Sequence, residues 1–233
     1  MQRSLFTAKI LPLWLGLIAT ALCCAQTTAA RPTASAGSPA HVPSPATARQ
    51  AARPILVCFG DSLTAGYGVA RGEDFPSLLQ RELDGKGMNY RVINAGLSGD
   101  TTGGGLDRLP QILALKPKIV LLELGANDGL RGMPIAVTRA NLDQMIVSMK
   151  KAGITVVLAG MTLPRNYGGD FITKFEALYA DLAKRHKVGL LRFELEPLAA
   201  RGLLQGDGMH PTAEGYRVAL PTIYAGIAPA LRK

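Results

Sequence analysis

Cysteine is almost missing from this 233-residue chain, which has three. Two of them, Cys23 and Cys24, fall in a segment that reads as a removable leader, so Cys58 is left without a partner. A disulfide framework is thereby excluded, and Cys58, inside an apolar run, reads as a packing residue. Aromatic residues make up 6% of the chain and its one Trp is Trp14 in the leader, so there is little with which to stack bases or sugars. Acidic residues are outnumbered, 17 against 26 Lys and Arg, for a net charge of +9. The cations are scattered and never form a basic stripe interleaved with aromatics, which argues against nucleic acid as a partner. A loose attraction to anionic membrane surfaces is the milder consequence. Close-spaced metal ligands such as H-E-x-x-H are also lacking, so a metal hydrolase built from Asp61, Asp128, Asp207 and His210 is disfavoured and no metal is expected.

The chain opens with Arg3 and Lys9, then an apolar segment from Ile10 to Cys23. That segment is shorter than the ~20 residues of a membrane span and suits a secretory signal. Residues 1–25 are expected to be that signal, with cleavage after Ala25 or as late as Ala30; an uncleaved anchor is the alternative. A lipid on Cys23 or Cys24 is disfavoured, because Leu22 and Cys23 precede them where Gly, Ala or Ser would be needed. Residues 26–53 are dense in Ala, Pro, Ser and Thr, too poor in apolar surface to offset ordering entropy, and read as a disordered tether. Residues 54–233 remain as one domain with room for a core. The protein is expected to be exported, periplasmic or secreted.

Within the domain, apolar runs alternate with amphipathic segments. Ile55–Phe59, Arg91–Asn94, Ile119–Leu124, Thr155–Ala159 and Val188–Leu191 read as strands. The first, third and fourth are nearly continuous in apolar residues, as strands buried on both faces are. Helices are expected over Asp74–Leu83, Gly105–Leu115, Thr138–Ala152, Phe171–His186 and Thr212–Ala230, the last interrupted near Pro221. Such alternation implies an α/β fold: right-handed crossovers, a parallel sheet and helices on both faces. Ligand chemistry then gathers just after the strands.

The residues there are Gly60-Asp61-Ser62, Ala95-Gly96-Leu97-Ser98-Gly99, Gly125-Ala126-Asn127-Asp128 and Gly160-Met161-Thr162. A further Gly/Pro-bounded turn, Gly206-Asp-Gly-Met-His-Pro211, precedes the last helix. Of three histidines, His41 lies in the tether and His186 closes a helix, so His210 is the candidate base. It could take the proton of the Ser62 hydroxyl, with Asp207 fixing its tautomer. The backbone N–H groups of Ser62 and Gly99 and the Asn127 amide could face an oxyanion, each such donor being worth about 10²–10³ in rate. Taken singly, each has a plainer reading. Ser62 could cap a helix, Gly99 could serve a turn, Asn127 and Asp128 could start a helix, and His210 could merely be held by Asp207.

Four blocks in order, FGDSLTAGYG, NAGLSGDTT, ELGANDGLRG and DGMHP, span residues 59–211. With them the chain resembles the GDSL/SGNH hydrolases, and within that family the periplasmic multifunctional esterases with arylesterase, acyl-CoA thioesterase and lysophospholipase activity. The G-x-S-x-G elbow of another hydrolase class is absent, since Thr64 occupies its last position. The resemblance implies a flavodoxin-like three-layer α/β/α sandwich with a five-stranded parallel sheet. It implies Ser62 as nucleophile, His210 as base, Asp207 as its orienter, and Ser62, Gly99 and Asn127 as oxyanion donors. Asp61 and Asp128 beside them are expected to shape the loops. Leu130, Arg131 and Met133, in a loop that is mobile in related enzymes, and Leu163 are expected to meet the acyl chain, in a shallow site without a lid. The implied activity is hydrolysis of carboxylic esters, and of thioesters, by an acyl-serine route without a cofactor. The expected partner is a small-molecule or lipid ester, and the expected state a monomer. A carbohydrate acetyl esterase and a non-catalytic binding module on the same fold are the alternatives.

Overall fold

The computed structural model describes residues 53–193 and 195–231; the expected signal and nearly all of the expected tether lie outside them. The guanidinium of Arg53, the first described residue, pairs with Asp84. Five strands form one sheet: β1 (Ile55–Gly60), β2 (Arg91–Gly96), β3 (Ile119–Glu123), β4 (Thr155–Gly160) and β5 (Gly189–Arg192). Their order is β2-β1-β3-β4-β5 and every pairing is parallel. The most apolar strands, β1, β3 and β4, are the three central ones, and Leu56, Val57, Ile119, Leu121 and Leu158 are fully or almost fully buried. The edge strands β2 and β5 are only partly covered. This is the layout expected of a parallel sheet covered on both faces.

The principal helices are α2 (Phe75–Gly85), α3 (Thr102–Ala114), α5 (Ile135–Lys151), α6 (Gly169–His186) and α8 (Ala213–Leu231). Short helices α1 (Ser62–Ala65), α4 (Ala126–Leu130) and α7 (Glu196–Ala199) follow strands directly. α3, α5 and α6 lie side by side, while α2 and α8 pair with each other. Local chemistry sets the starts. Asp74 accepts from the Ser77 N–H at 2.9 Å to cap α2, with Pro76 in its first turn. Thr101 does the same for α3 through the Gly104 N–H.

One expectation fails here. α8 is continuous through Pro221 instead of breaking near it. An interior Pro removes one ladder bond and costs about 3 kcal/mol. Tyr216, Ile223 and Ile227, all buried on the same helix, each bring about 1.5–3 kcal/mol on burial. Packing therefore outweighs the local penalty. Among the described residues no helix is long and apolar enough to cross a membrane.

Candidate active site

All the strand-end loops named above open on one end of the sheet, because the sheet is parallel. At the end of β1, Asp61 caps α1 by accepting the Leu63 N–H at 3.0 Å. Ser62 is thus the first residue of α1, and its N–H has no partner within that helix. The turn is held from several sides. Glu123, at the end of β3, is buried and takes three donors on Oε2: the Asp61 N–H at 3.3 Å, the Thr64 N–H at 3.2 Å and the Thr64 hydroxyl at 2.6 Å. The Tyr216 hydroxyl on α8 donates to the Leu63 carbonyl at 2.9 Å. Gly60 is required by this closeness, since a Cβ there would overlap Thr64 Oγ1 and the Glu123 carboxyl.

Arg108 on α3 joins the first two strand ends. Its guanidinium donates to the Gly60 carbonyl at 2.8 Å, the Ala95 carbonyl at 2.7 Å and Asp100 Oδ2 at 2.7 Å, and lies over the Phe59 ring. The loop that carries Gly99 is thereby tied to the Ser62 turn. Gly99 itself has a φ of 79°, a left-handed conformation that favours glycine, and its carbonyl accepts from Arg131 at 2.9 Å. Neither Arg108 nor Glu123 stands out in the sequence. Arg108 lies inside an amphipathic helix and Glu123 inside the expected strand Ile119–Leu124, and neither position tells what the side chain binds.

His210 lies 148 positions beyond Ser62, yet its Nε2 is 2.8 Å from Ser62 Oγ. Its Nδ1 is 2.6 Å from Asp207 Oδ2, while Asp207 Oδ1 accepts the N–H groups of Met209 and His210 at 2.9 and 3.0 Å. Burial alone would raise the Asp207 carboxyl; these two N–H groups and the imidazole bring it down to about 2. An ionised carboxylate only accepts, so Nδ1 donates and the Nε2 lone pair faces the Ser62 hydroxyl. The loop is closed by its own bonds, Gln205 N–H to the His210 carbonyl at 2.7 Å and Thr212 N–H to the Leu203 carbonyl at 2.9 Å. The Tyr67 ring flanks the imidazole, with centroids 4.7 Å apart.

The Asn127 amide, on α4, donates to Asp61 Oδ2 at 3.0 Å. One of its two hydrogens is thereby held, and the other is available to a ligand beside Ser62. Burial raises the Asp61 carboxyl to about 6, against the Leu63 N–H, His210 and Asn127, which all favour its charged form. Burial, and then the Asp61 charge, push Glu123 well above the usual carboxylate range. Its Oε1 has no partner among the described residues. With Oε2 accepting from all three donors, Glu123 is the acceptor that holds the turn. Asp128 is fully buried, accepting from the Thr102 N–H at 2.8 Å and from the Thr102 hydroxyl. It joins α4 to the start of α3.

A cleft of about 550 Å³ runs from Ser62. Leu130, Leu163, Ile172, Leu195, Ala199 and Met209 give it apolar walls, and an Arg165–Glu196 ion pair stands at its rim. α7, the Leu195–Leu204 stretch and the segment after β4 build this groove together. Of the four residues expected to meet an acyl chain, Leu130 and Leu163 line the cleft; Arg131 and Met133 do not. Arg131 is engaged with the Gly99 carbonyl, and Met133 is half-buried, its N–H bonded to the Asp128 carbonyl at 2.9 Å. Leu195 and Met209 were not foreseen, because each lies in an irregular stretch whose facing neighbours are remote in sequence. Cys58 is fully buried at the centre of β1, where burial drives its thiol far up and leaves it inert.

Comparison with known proteins agrees with this geometry. The family model described as "GDSL-like Lipase/Acylhydrolase family" matches residues 58–218. An arylesterase of Vibrio mimicus is 44% identical over 169 residues, 72% of this chain and 84% of the relative. The thioesterase 1/protease 1/lysophospholipase L1 of Escherichia coli is 40% identical over 170 residues, 72% of this chain and 80% of the relative. The crystal structure of TesA superposes with a TM-score of 0.73 at 40% identity, covering 76% of this chain and 99% of that one. With the family model spanning the sheet from β1 into α8, the chain belongs to the GDSL-like lipase and acylhydrolase family, the SGNH hydrolases, enzymes that cleave ester bonds.

Proposed function

We propose that this protein is an exported serine esterase that hydrolyses carboxylic esters and thioesters of acyl chains through an acyl-enzyme on Ser62. The observation that carries this reading is the continuous run of hydrogen-bond distances from Asp207 through His210 to Ser62 Oγ, 2.6 and 2.8 Å. His210 accepts the Ser62 proton as the hydroxyl attacks the ester carbonyl, and Asp207 stabilises the imidazolium that forms. The Ser62 and Gly99 N–H groups and the Asn127 amide receive the oxyanion. The imidazolium then protonates the departing alkoxide or thiolate. Water, activated by the same imidazole, attacks the acyl-serine and releases the acid.

The acyl chain takes the apolar groove past Leu130 and Leu163. Among the described residues that line it none is Trp, Tyr or Phe, so nothing in it favours a sugar over an acyl chain. The names of the relatives, an arylesterase and a thioesterase and lysophospholipase, agree with small acyl esters and thioesters as substrates.

The test is hydrolysis of p-nitrophenyl esters from acetate to long chains, with Ser62→Ala in parallel. Wild type is expected to turn over, and the variant to lose about 10³-fold or more in kcat. Equal turnover by both proteins, or none by either with no phosphonate adduct on Ser62, defeats the reading.

A further inference from the structure

The end of the sheet opposite the cleft has a charge pattern that ester hydrolysis does not use. α3, α5 and α6 are neighbours in one layer, and each delivers the chain into the amino end of β3, β4 and β5 in turn. Lys116 follows α3, with Lys118 just before β3. Lys150 and Lys151 close α5. Lys184, Arg185 and Lys187 close α6. All seven are exposed. No Asp or Glu occurs in residues 111–122, 144–169 or 182–193.

Cations at helix C-termini have an ordinary reason, since they complement the macrodipole. The magnitudes show that this does not suffice. Three C-termini present about −1.5 charges together. Among the described residues the carboxylate paired with one of the seven is Asp143, bound to His186 at 2.8 Å and Arg185 at 3.3 Å, while Glu82 and Asp84, near the end of α2, are paired with Lys86 and Arg53. More than half of the seven positive charges are left without compensation. Carboxylates cluster at the other end instead: Asp61, Asp100, Glu123, Asp128 and Asp207 all lie around the cleft.

We infer that this rim is a docking surface for an anionic lipid bilayer, which holds the domain with its cleft turned away from the membrane. The cations lie across three adjacent helix ends and strand starts, an array that several anionic headgroups can meet at once. It has neither a groove nor an exposed aromatic to take a nucleic-acid strand; the exposed large apolar side chains among the described residues are Tyr67, Leu97 and Val137. Arg53 and Pro54 lead into β1 at this same end. Held this way, the enzyme meets esters that arrive from the aqueous side, not acyl chains still packed in the supporting bilayer.

Flotation of the chain without its leader, residues 26–233, with phosphatidylcholine vesicles containing about one-third phosphatidylglycerol tests this. The comparison protein has Lys116, Lys151, Lys184 and Lys187 all changed to Gln; none of these touches the cleft. Each cation near such a surface contributes about fivefold in partitioning, so the variant is expected to bind about 10²-fold or more weakly. Wild-type binding is expected to vanish near ~1 M salt, where the screening length is about 3 Å. Equal binding by both proteins, or equal binding of wild type to pure phosphatidylcholine, overturns the inference. Tighter binding to a soluble polyanion such as heparin than to vesicles overturns the bilayer as partner. Orientation is read by hydrogen exchange on vesicles, independently of any activity. Slowing around residues 116–118, 151–153 and 185–188 supports it, and slowing around 97–100 and 205–210 instead reverses it.

Discussion

At the scale of single residues, two kinds of group converge on Ser62: those expected to react and those that aim them. Asp207 belongs to the first. Changing it to Asn keeps an oxygen for the Met209 and His210 N–H groups but turns an NH₂ toward Nδ1, forcing the wrong imidazole tautomer. Asp207→Asn is expected to lower kcat by about 10²–10⁴-fold with KM little changed, measured on a p-nitrophenyl ester. Asp207 is held down at about 2, so its contribution is complete above the usual carboxylate range and lost only as pH falls through about 2. No inflection of the wild-type rate above pH ~4 is expected to arise from it. Arg108 belongs to the second kind. A Lys amine cannot reach the Gly60 and Ala95 carbonyls and Asp100 together, so in Arg108→Lys the Gly99 loop shifts against Ser62. The expected result is a roughly 10–100-fold lower kcat in a protein that still melts cooperatively. Unchanged kcat there would show that the loop holds its place without the clasp. Ser62, His210 and Asp207 were legible in the sequence because their residue types are rare or sit in glycine-bounded turns. Arg108 and Glu123 were not, because what they do depends on which strand ends lie beside them.

Among the elements, the contact between α1 and β2 is the tightest constraint on the site. A Cβ on Gly96 would overlap the backbone of Thr64 and Ala65. Gly96→Ala must therefore push α1, and Ser62 with it, away from the Gly99 loop, at a cost of about 1–3 kcal/mol in overpacking. The loss of activity is expected to exceed what the fall in stability accounts for, as seen by comparing kcat with urea midpoints. Gly189→Ala is the control. A Cβ there meets Val157 side-chain atoms at 3.4 Å, an ordinary contact, and stability is expected to change by less than about 1 kcal/mol. Element boundaries followed the same division. The central strands were readable as apolar runs, and α2, α3 and α6 from their periodicity. α1, α4 and α7 are too short for a period, and α8 persists through Pro221 because its buried face, invisible to local rules, holds it.

For the whole molecule, the buried carboxyls make a prediction about pH. Asp61 rises from 3.8 to about 6 on folding, so its contribution to stability is fully present below about pH 4 and is lost as pH rises through about 6. For Asp61 that rise corresponds to about 3 kcal/mol, and Glu123, pushed up chiefly by burial, acts in the same direction. Asp207 and Asp143 are depressed, Asp143 chiefly by its hydrogen bond from His186. The contribution of Asp207 is present above about pH 4 and is lost as pH falls through about 2, and that of Asp143 is lost in the same direction. The urea midpoint is accordingly expected to be higher at pH ~4.5 than at pH ~7.5, and to fall again below about pH 3. A midpoint that rises steadily from pH ~4.5 to ~7.5 would show that Asp61 and Glu123 are not held as described.

The sequence by itself determined the class of fold and the type of chemistry. Apolar runs of strand length alternating with amphipathic segments admit one economical solution, a covered parallel sheet, and that solution places every β-to-α loop at one end. It also left His210 as the candidate base, because only there does a histidine stand three residues from a carboxylate inside a rigid turn. Tertiary structure decided the rest. The 2.8 Å contact between Ser62 and His210, the support of the Ser62 turn by Glu123, Tyr216 and Arg108, and the apolar walls of the cleft are distances between residues tens to over a hundred positions apart. No local pattern encodes such distances; they follow from how helices settle on the two faces of the sheet. The same settling lines up three helix ends, and so turns cations that are scattered along the chain into one rim.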